Sequence, residues 1–332
     1  MFKRILTVVD AKDAGASAVT LATGLAGAQG GDLVLVHVLP QPPITVHELS
    51  LPVDGAPTRP ARAEQAEASR LLGEAAQFAD SAGVMHHRVI ARGRDPVQSI
   101  VDVARHRRCD LIVVPSEKQN ALLRLLTGSA IPGLITATPI PLLVCKASPE
   151  RPVRLDKVLI AIEPRQAAWA AVTLGLEVAR SHGAHALFAF VQPRQAMPLA
   201  DMQAAAWLGS DVFDAEVRRF GGECLDRAMA QASEQGVAAS AVTVDAMDPA
   251  TALAQLAAGE GAGLICVACQ HQNAVVRLLA GSVVPGLVTA SRVPVLICRD
   301  EAPDDAGQRR RKRRRYSLKQ APPESSPTLR TS

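Results

Sequence analysis

Aromatic residues are scarce in this chain: six Phe, two Trp and one Tyr supply 3% of its 332 positions. An aromatic-rich binding surface is therefore not expected, and the abundance of Ala, Val and Leu points to helices packed on a buried sheet. Cysteine is also sparse. Six thiols (Cys109, Cys145, Cys224, Cys266, Cys269 and Cys298) cannot staple a chain this long, which excludes a disulfide scaffold. Cys266 and Cys269 have CxxC spacing, but they lie in the apolar run "GLICVAC", and side chains three apart on a strand face opposite sides. No second CxxC completes a zinc site, so buried structural thiols are expected.

Net charge is missing from most of the chain. Residues 300–332 hold nine Lys/Arg and five Asp/Glu, which is the whole formal charge of +4 and leaves residues 1–299 balanced at 27 of each sign. Long unbroken apolar runs are missing too. "MFKRILTVVD" meets Asp10 before a signal-peptide core can form. The uncharged stretch from Leu125 to Cys145 is interrupted by Pro132, Pro139 and Pro141, so two short buried elements joined by a turn are expected there. These absences predict no transmembrane segment and a cytoplasmic protein. Catalytic signatures are equally lacking: there is no full Walker loop, no Rossmann glycine fingerprint and no nucleophile elbow. A protein without substrate turnover of its own is expected. His182 and His185, in the turn "SHGAH", have no convergent third ligand in the sequence and are expected to be surface residues.

What the chain does have is a second copy of itself. "QNALLRLLTGSAIPGLITATPIPLLVCK" from Gln119 returns as "QNAVVRLLAGSVVPGLVTASRVPVLICR" from Gln272, with 16 of 28 residues identical at an offset of 153. The same offset maps Asp10 onto Glu163, Gly30 onto Gly183 and Asp95-Pro96 onto Asp248-Pro249. Two copies of one domain are implied, over 1–147 and 156–299, with a linker at 148–155 and a tail at 300–332. Within each copy, apolar strand-like runs alternate with helical segments. In the first copy the strands are "RILTVVD", "GGDLVLVHV", "HHRVIAR", "DLIVVP" and "PLLVCK". Helices are predicted over Ala16–Ala28, Glu64–Ala82 and Pro96–Arg107 and from near Ser129. Such alternation predicts an α/β fold: two repeated five-stranded, doubly wound parallel-sheet domains. Ligands of such sheets gather at the carboxyl ends of strands, where the strand order reverses.

With these residues placed, the chain resembles a tandem universal stress protein over about residues 2–299. The resemblance implies the adenine-nucleotide alpha-hydrolase-like fold and an acid ending the first strand. It also implies a signature of Gly, two residues, Gly, nine residues and Gly-Ser that holds an adenine nucleotide. Family members act as stress-response regulators more often than as enzymes, and they dimerise through the last strand. Asp10 and Glu163 stand at the acid's place, and Gly128-Ser129 and Gly281-Ser282 match the end of the signature. Lys118 and His271 stand where the second glycine belongs, and Pro115 and Ala268 where the first belongs. The implied cofactor is ATP with Mg²⁺, or none.

The replacements matter because a phosphate cradle aims backbone N–H groups at oxygens, and glycine permits the close approach. Pro115 has no N–H, whereas Ala268 keeps one, so tight ATP binding is expected to suffer more in the first copy. Lys118 and His271 can also meet phosphate as cations, which leaves a retuned site open. Ser129 and Ser282 read equally as helix N-caps or as phosphate ligands, with Pro132 and Pro285 in the first turn that follows. Asp10 reads as a nucleoside contact or as a simple turn start.

Two partner surfaces are expected. Strands 141–146 and 294–299 are set to pair, either within the chain as a pseudo-dimer or between chains, with Cys145 and Cys298 near the two-fold axis. The run "RRRKRRR", residues 309–315, has no apolar periodicity to fold it, so the tail is expected to be disordered. It is a solvated or self-associating tail, or one that meets nucleic acid or anionic lipid. Protein partners fit the regulator reading.

Overall fold

The computed structural model describes residues 2–10, 13–40, 59–116, 130–146, 154–163, 169–193, 210–269 and 283–299. Most of the expected linker and the whole basic tail lie outside these residues. In the first half the strands are β1 (Arg4–Val8), β2 (Asp32–Pro40), β3 (His86–Gly93), β4 (Leu111–Ser116) and β5 (Leu142–Lys146). The helices between them are α1 (Asp13–Gly27), α2 (Arg59–Ser81), α3 (Pro96–His106) and α4 (Ala130–Ala137). The second half repeats the order with β6 (Lys157–Ile162), α5 (Trp169–His182), β7 (His185–Pro193), α6 (Ser210–Glu234) and β8 (Ala239–Ala246). It continues with α7 (Pro249–Gly259), β9 (Leu264–Cys269), α8 (Val283–Ala290) and β10 (Val295–Arg299). None of the described helices is long and apolar enough to cross a membrane.

All ten strands lie in one sheet, in the order β3-β2-β1-β4-β5-β10-β9-β6-β7-β8. Every neighbour pair is parallel except β5–β10, where the halves meet antiparallel. The register there pairs Val144 with Val295, Leu143 with Leu296 and Leu142 with Ile297. Leu143 and Leu296 are equivalent under the 153-residue offset, so a local two-fold axis passes between them. The pairing expected of strands 141–146 and 294–299 thus forms within the chain.

Helices cover both faces, which is why the central strands read as unbroken apolar runs. One core cluster packs α1, α2, α5 and α6 on the face carrying Leu143, Cys145, Leu296 and Cys298. The other packs α3, α4, α7 and α8 on the face carrying Leu142, Val144, Val295 and Ile297. Both clusters run through the seam, so the halves share one core on each side of the sheet. Burying Leu143 and Leu296, each 1% exposed, contributes about 1.5–3 kcal/mol apiece.

Local sequence accounts for the helix starts that the structure describes with caps. The Asp95 carboxylate accepts the Val97 N–H at 2.9 Å, with Pro96 in the first turn of α3. Asp248 does the same for α7, accepting the Ala250 N–H at 3.2 Å and the Thr251 hydroxyl at 2.5 Å.

Candidate functional site

The sheet's two switch points lie between β1 and β4 and between β6 and β9. Pairing of β1 with β4 runs through Thr7–Val113. Beyond it the Val9 N–H donates to Val36 O at 2.8 Å, so the chain end follows β2 and turns away from β4. Asp10 comes next, half-buried at the mouth of that divergence. The imidazole Nδ1–H of His37 donates to Val9 O at 2.8 Å, on the β2 side of the same strand end.

On the other side of the divergence, Ser116 ends β4 and Lys146 ends β5. They are register partners, and the Lys146 ammonium donates to Ser116 Oγ at 3.3 Å. An acid, a hydroxyl and a cation therefore terminate three consecutive strands. Asp10 and Ser116 each lie three residues past the last β1–β4 pair, Thr7–Val113. Pro115 belongs to β4 rather than to the loop after it, and it is buried. The Ile112 N–H bonds toward β5, to Pro141 O, so alternate residues of β4 face the other way. Pro115 thus turns its missing N–H toward β1, past the last paired residue, and interrupts no ladder bond.

The second half builds the equivalent row with different chemistry. Glu163 follows β6, Cys269 ends β9 and Arg299 ends β10, with Cys269 and Arg299 register partners. Burial pushes the Cys269 thiol's pKa up; the Arg299 charge opposes this and the Glu163 charge adds to it, so both ions act on that sulfur. A thiol held protonated in this way is a poor nucleophile. Arg299 itself is 5% exposed, and its guanidinium donates to Thr138 O of the first half at 2.5 Å. Burial draws its pKa down, and it remains a cation.

Of the sequence-predicted site residues, Asp10 and Glu163 stand at the two strand ends. Lys118, Gly128, Ser129, His271, Gly281 and Ser282 lie outside the described residues. Helices α4 and α8 begin one residue after the two serines, with Pro132 and Pro285 in their first turns. The CxxC pair splits as its spacing implies, Cys266 facing one core cluster and Cys269 the other. His182 Nδ1 lies 3.1 Å from Val178 O, and His185 Nε2 lies 2.8 Å from Ser240 Oγ. No group of three His, Cys, Asp or Glu among the described residues is placed to hold a metal ion.

Sequence reasoning missed His37, Ser116, Lys146, Cys269 and Arg299. Their signal was the alignment of the two copies, where Ser116 faces Cys269 and Lys146 faces Arg299. The first row offers a carboxylate able to accept from hydroxyls, with a cation two strands away; in the second the corresponding cation is bonded to Thr138 O. That arrangement suits a ligand with hydroxyl donors at one end and negative charge at the other.

The family profile described as "Universal stress protein family" matches the chain twice, over residues 1–146 and 154–299. Among solved structures, a universal stress protein from Archaeoglobus fulgidus DSM 4304 is 18% identical, covering 91% of this chain and 97% of its own, with a TM-score of 0.65. A protein of unknown function from Pseudomonas aeruginosa PAO1 is 15% identical over 95% of this chain and 98% of its own, at a TM-score of 0.58. At these identities the likeness concerns the fold. No curated protein matches the chain.

Proposed function

This chain belongs to the universal stress protein family, and we propose that it is a stress-response regulator that binds an anionic, nucleoside-type ligand through retuned strand-end sites, without turning it over. The observation that carries the reading is the Ser116–Lys146 pair at the ends of β4 and β5, across the first half's switch point from the strand that Asp10 follows. A carboxylate there accepts ribose hydroxyls, and the ammonium meets phosphate as a point charge. ATP fits this set of donors and acceptors, with Asp10 toward the sugar and Lys146 toward the phosphates. Mg²⁺ would arrive bound to the nucleotide's phosphates. The cytoplasm, where adenine nucleotides are abundant, suits such a protein.

Calorimetric titration of the full chain with ATP and Mg²⁺ tests the reading, repeated on Asp10→Asn and on the paired Ser129→Ala, Ser282→Ala protein. Binding that both changes weaken supports a nucleotide sensor. No heat at millimolar ATP would leave the Gly-Ser pairs as helix caps and turn the search to protein partners.

A further inference from the structure

The repeat places a cation at the end of β5 and another at the end of β10, but the two side chains go to different places. Lys146 stays within its own row, half-buried, with its ammonium on Ser116 Oγ at the point where β4 leads into the Gly-Ser segment. Arg299 reaches out of its row. The antiparallel seam sets the end of β10 beside the start of β5, and the guanidinium crosses to Thr138 O at 2.5 Å. Thr138 caps the turn between α4 and β5: its hydroxyl accepts the Ile140 N–H at 3.1 Å, and its own N–H donates to Leu134 O. Ser291, the equivalent residue in the second half, closes its turn differently, donating its hydroxyl to Val293 O at 2.7 Å and accepting the Val293 N–H at 2.9 Å.

We infer that the two sites are unequal: Lys146 is the ligand-contacting cation of the first, whereas Arg299 is a positioning residue of the seam and leaves the second without a cation for the ligand. A guanidinium that is 5% exposed and bonded to a carbonyl of the other half meets a phosphate only by giving up that bond and uncovering the carbonyl. The Lys146 ammonium carries three donors on a flexible stem, so it can meet a phosphate while keeping its bond to Ser116 Oγ and without uncovering a buried carbonyl. This ranks the halves opposite to the backbone argument from Pro115 and Ala268. The difference is consistent with Pro115 lying inside β4, where its lost N–H is not part of a ladder.

The inference rests on the nucleotide reading above, and two measurements separate their failures. Titration of the full chain with ATP and Mg²⁺ is expected to show one equivalent per chain. Lys146→Met should weaken it about tenfold or more, the loss of one charge-assisted contact, while Lys146→Arg retains most of the affinity. Two equal equivalents, or one equivalent indifferent to Lys146→Met, overturn the inference and leave the reading standing. No binding to the unaltered chain sinks both. Thermal unfolding without ligand reads the other half of the claim: Arg299→Met should lower Tm by several degrees and Lys146→Met hardly at all. Equal Tm changes for the two variants would show that Arg299 has no special place in the seam.

Discussion

The two halves of this protein share strand order, register and helix placement, yet at equivalent positions they fill the same space with different pairs. In the second half Ile160 packs against Gly175, where an added Cβ would stand 2.7 Å from the Ile160 side chain. In the first half the same positions hold Thr7 and Ala22, both 0% exposed. Phe190 likewise lies over Gly221, where a Cβ would meet the ring at 2.3 Å, and the first half has His37 and Ala68 instead. A larger strand residue goes with a glycine on the helix above it each time. The repeat therefore preserves the volume between sheet and helix rather than the residues that fill it.

The seam is what the halves hold in common, so breaking it should have the largest effect. Cys145 and Cys298 are 1% and 0% exposed, and burial pushes both thiols' pKa values well up. Cys145→Arg and Cys298→Arg should each cost about 3 kcal/mol or more, because either buries an unpaired charge. Similar Tm losses for the two variants would confirm that the seam is symmetric; an unchanged Tm for either would count against it.

Next in size is the exchange of volumes. Gly221→Ala should destabilise by roughly 1–3 kcal/mol through overpacking against Phe190, despite the better helix propensity of alanine. Phe190→Leu added to Gly221→Ala should recover part of the loss. Additive effects in that double-mutant cycle would argue that the two residues are not matched.

A smaller gain is expected where the first half holds a polar group without a partner. Thr7 Oγ1 and Thr23 Oγ1 are buried with no hydrogen-bond partner among the described residues, and the second half has Ile160 and Leu176 there. Thr7→Val should raise stability by about 1 kcal/mol in denaturant titration. A loss instead would mean that the hydroxyl is satisfied.

The smallest effect separates the two helix caps. The Thr251 hydroxyl, then the Ala250 and Thr251 amides, hold the Asp248 carboxyl below its usual 3.8. With the folded value below the unfolded one, this group's stabilisation is complete above pH 3.8 and is lost as pH falls through the lower folded value. Asp248→Ala should cost about 1 kcal/mol at neutral pH and flatten the Tm-against-pH curve in that acid range. A curve of unchanged slope would show that the cap does not titrate with folding.

Much of the fold was legible because its signals are local. The continuous apolar runs of β1, β4 and β5 announced strands covered on both faces. The composition of Glu64–Ala82 announced α2, which in fact opens five residues earlier, at Arg59. Asp95-Pro96 marked a helix start at the right residue. The candidate site was legible only in part. Asp10 and Glu163 stood out as acids ending apolar runs, whereas Ser116, Lys146, Cys269 and Arg299 looked like ordinary strand ends. Nothing near Lys146 in the sequence says that its neighbour in space is Ser116, 30 residues away.

By itself the sequence determined the repeat, the alternation of strand and helix and the positions of the two terminal acids. Periodicity, capping and turn residues act over a few neighbours, and so they are written where they act. Only the tertiary structure decided that β5 joins β10 into one sheet and that Lys146 remains in its row while Arg299 crosses to Thr138, 161 residues away. Lys and Arg at equivalent strand ends look interchangeable in the sequence. What separates them is which group each one meets once the seam has closed, a hydroxyl of its own half or a carbonyl of the other.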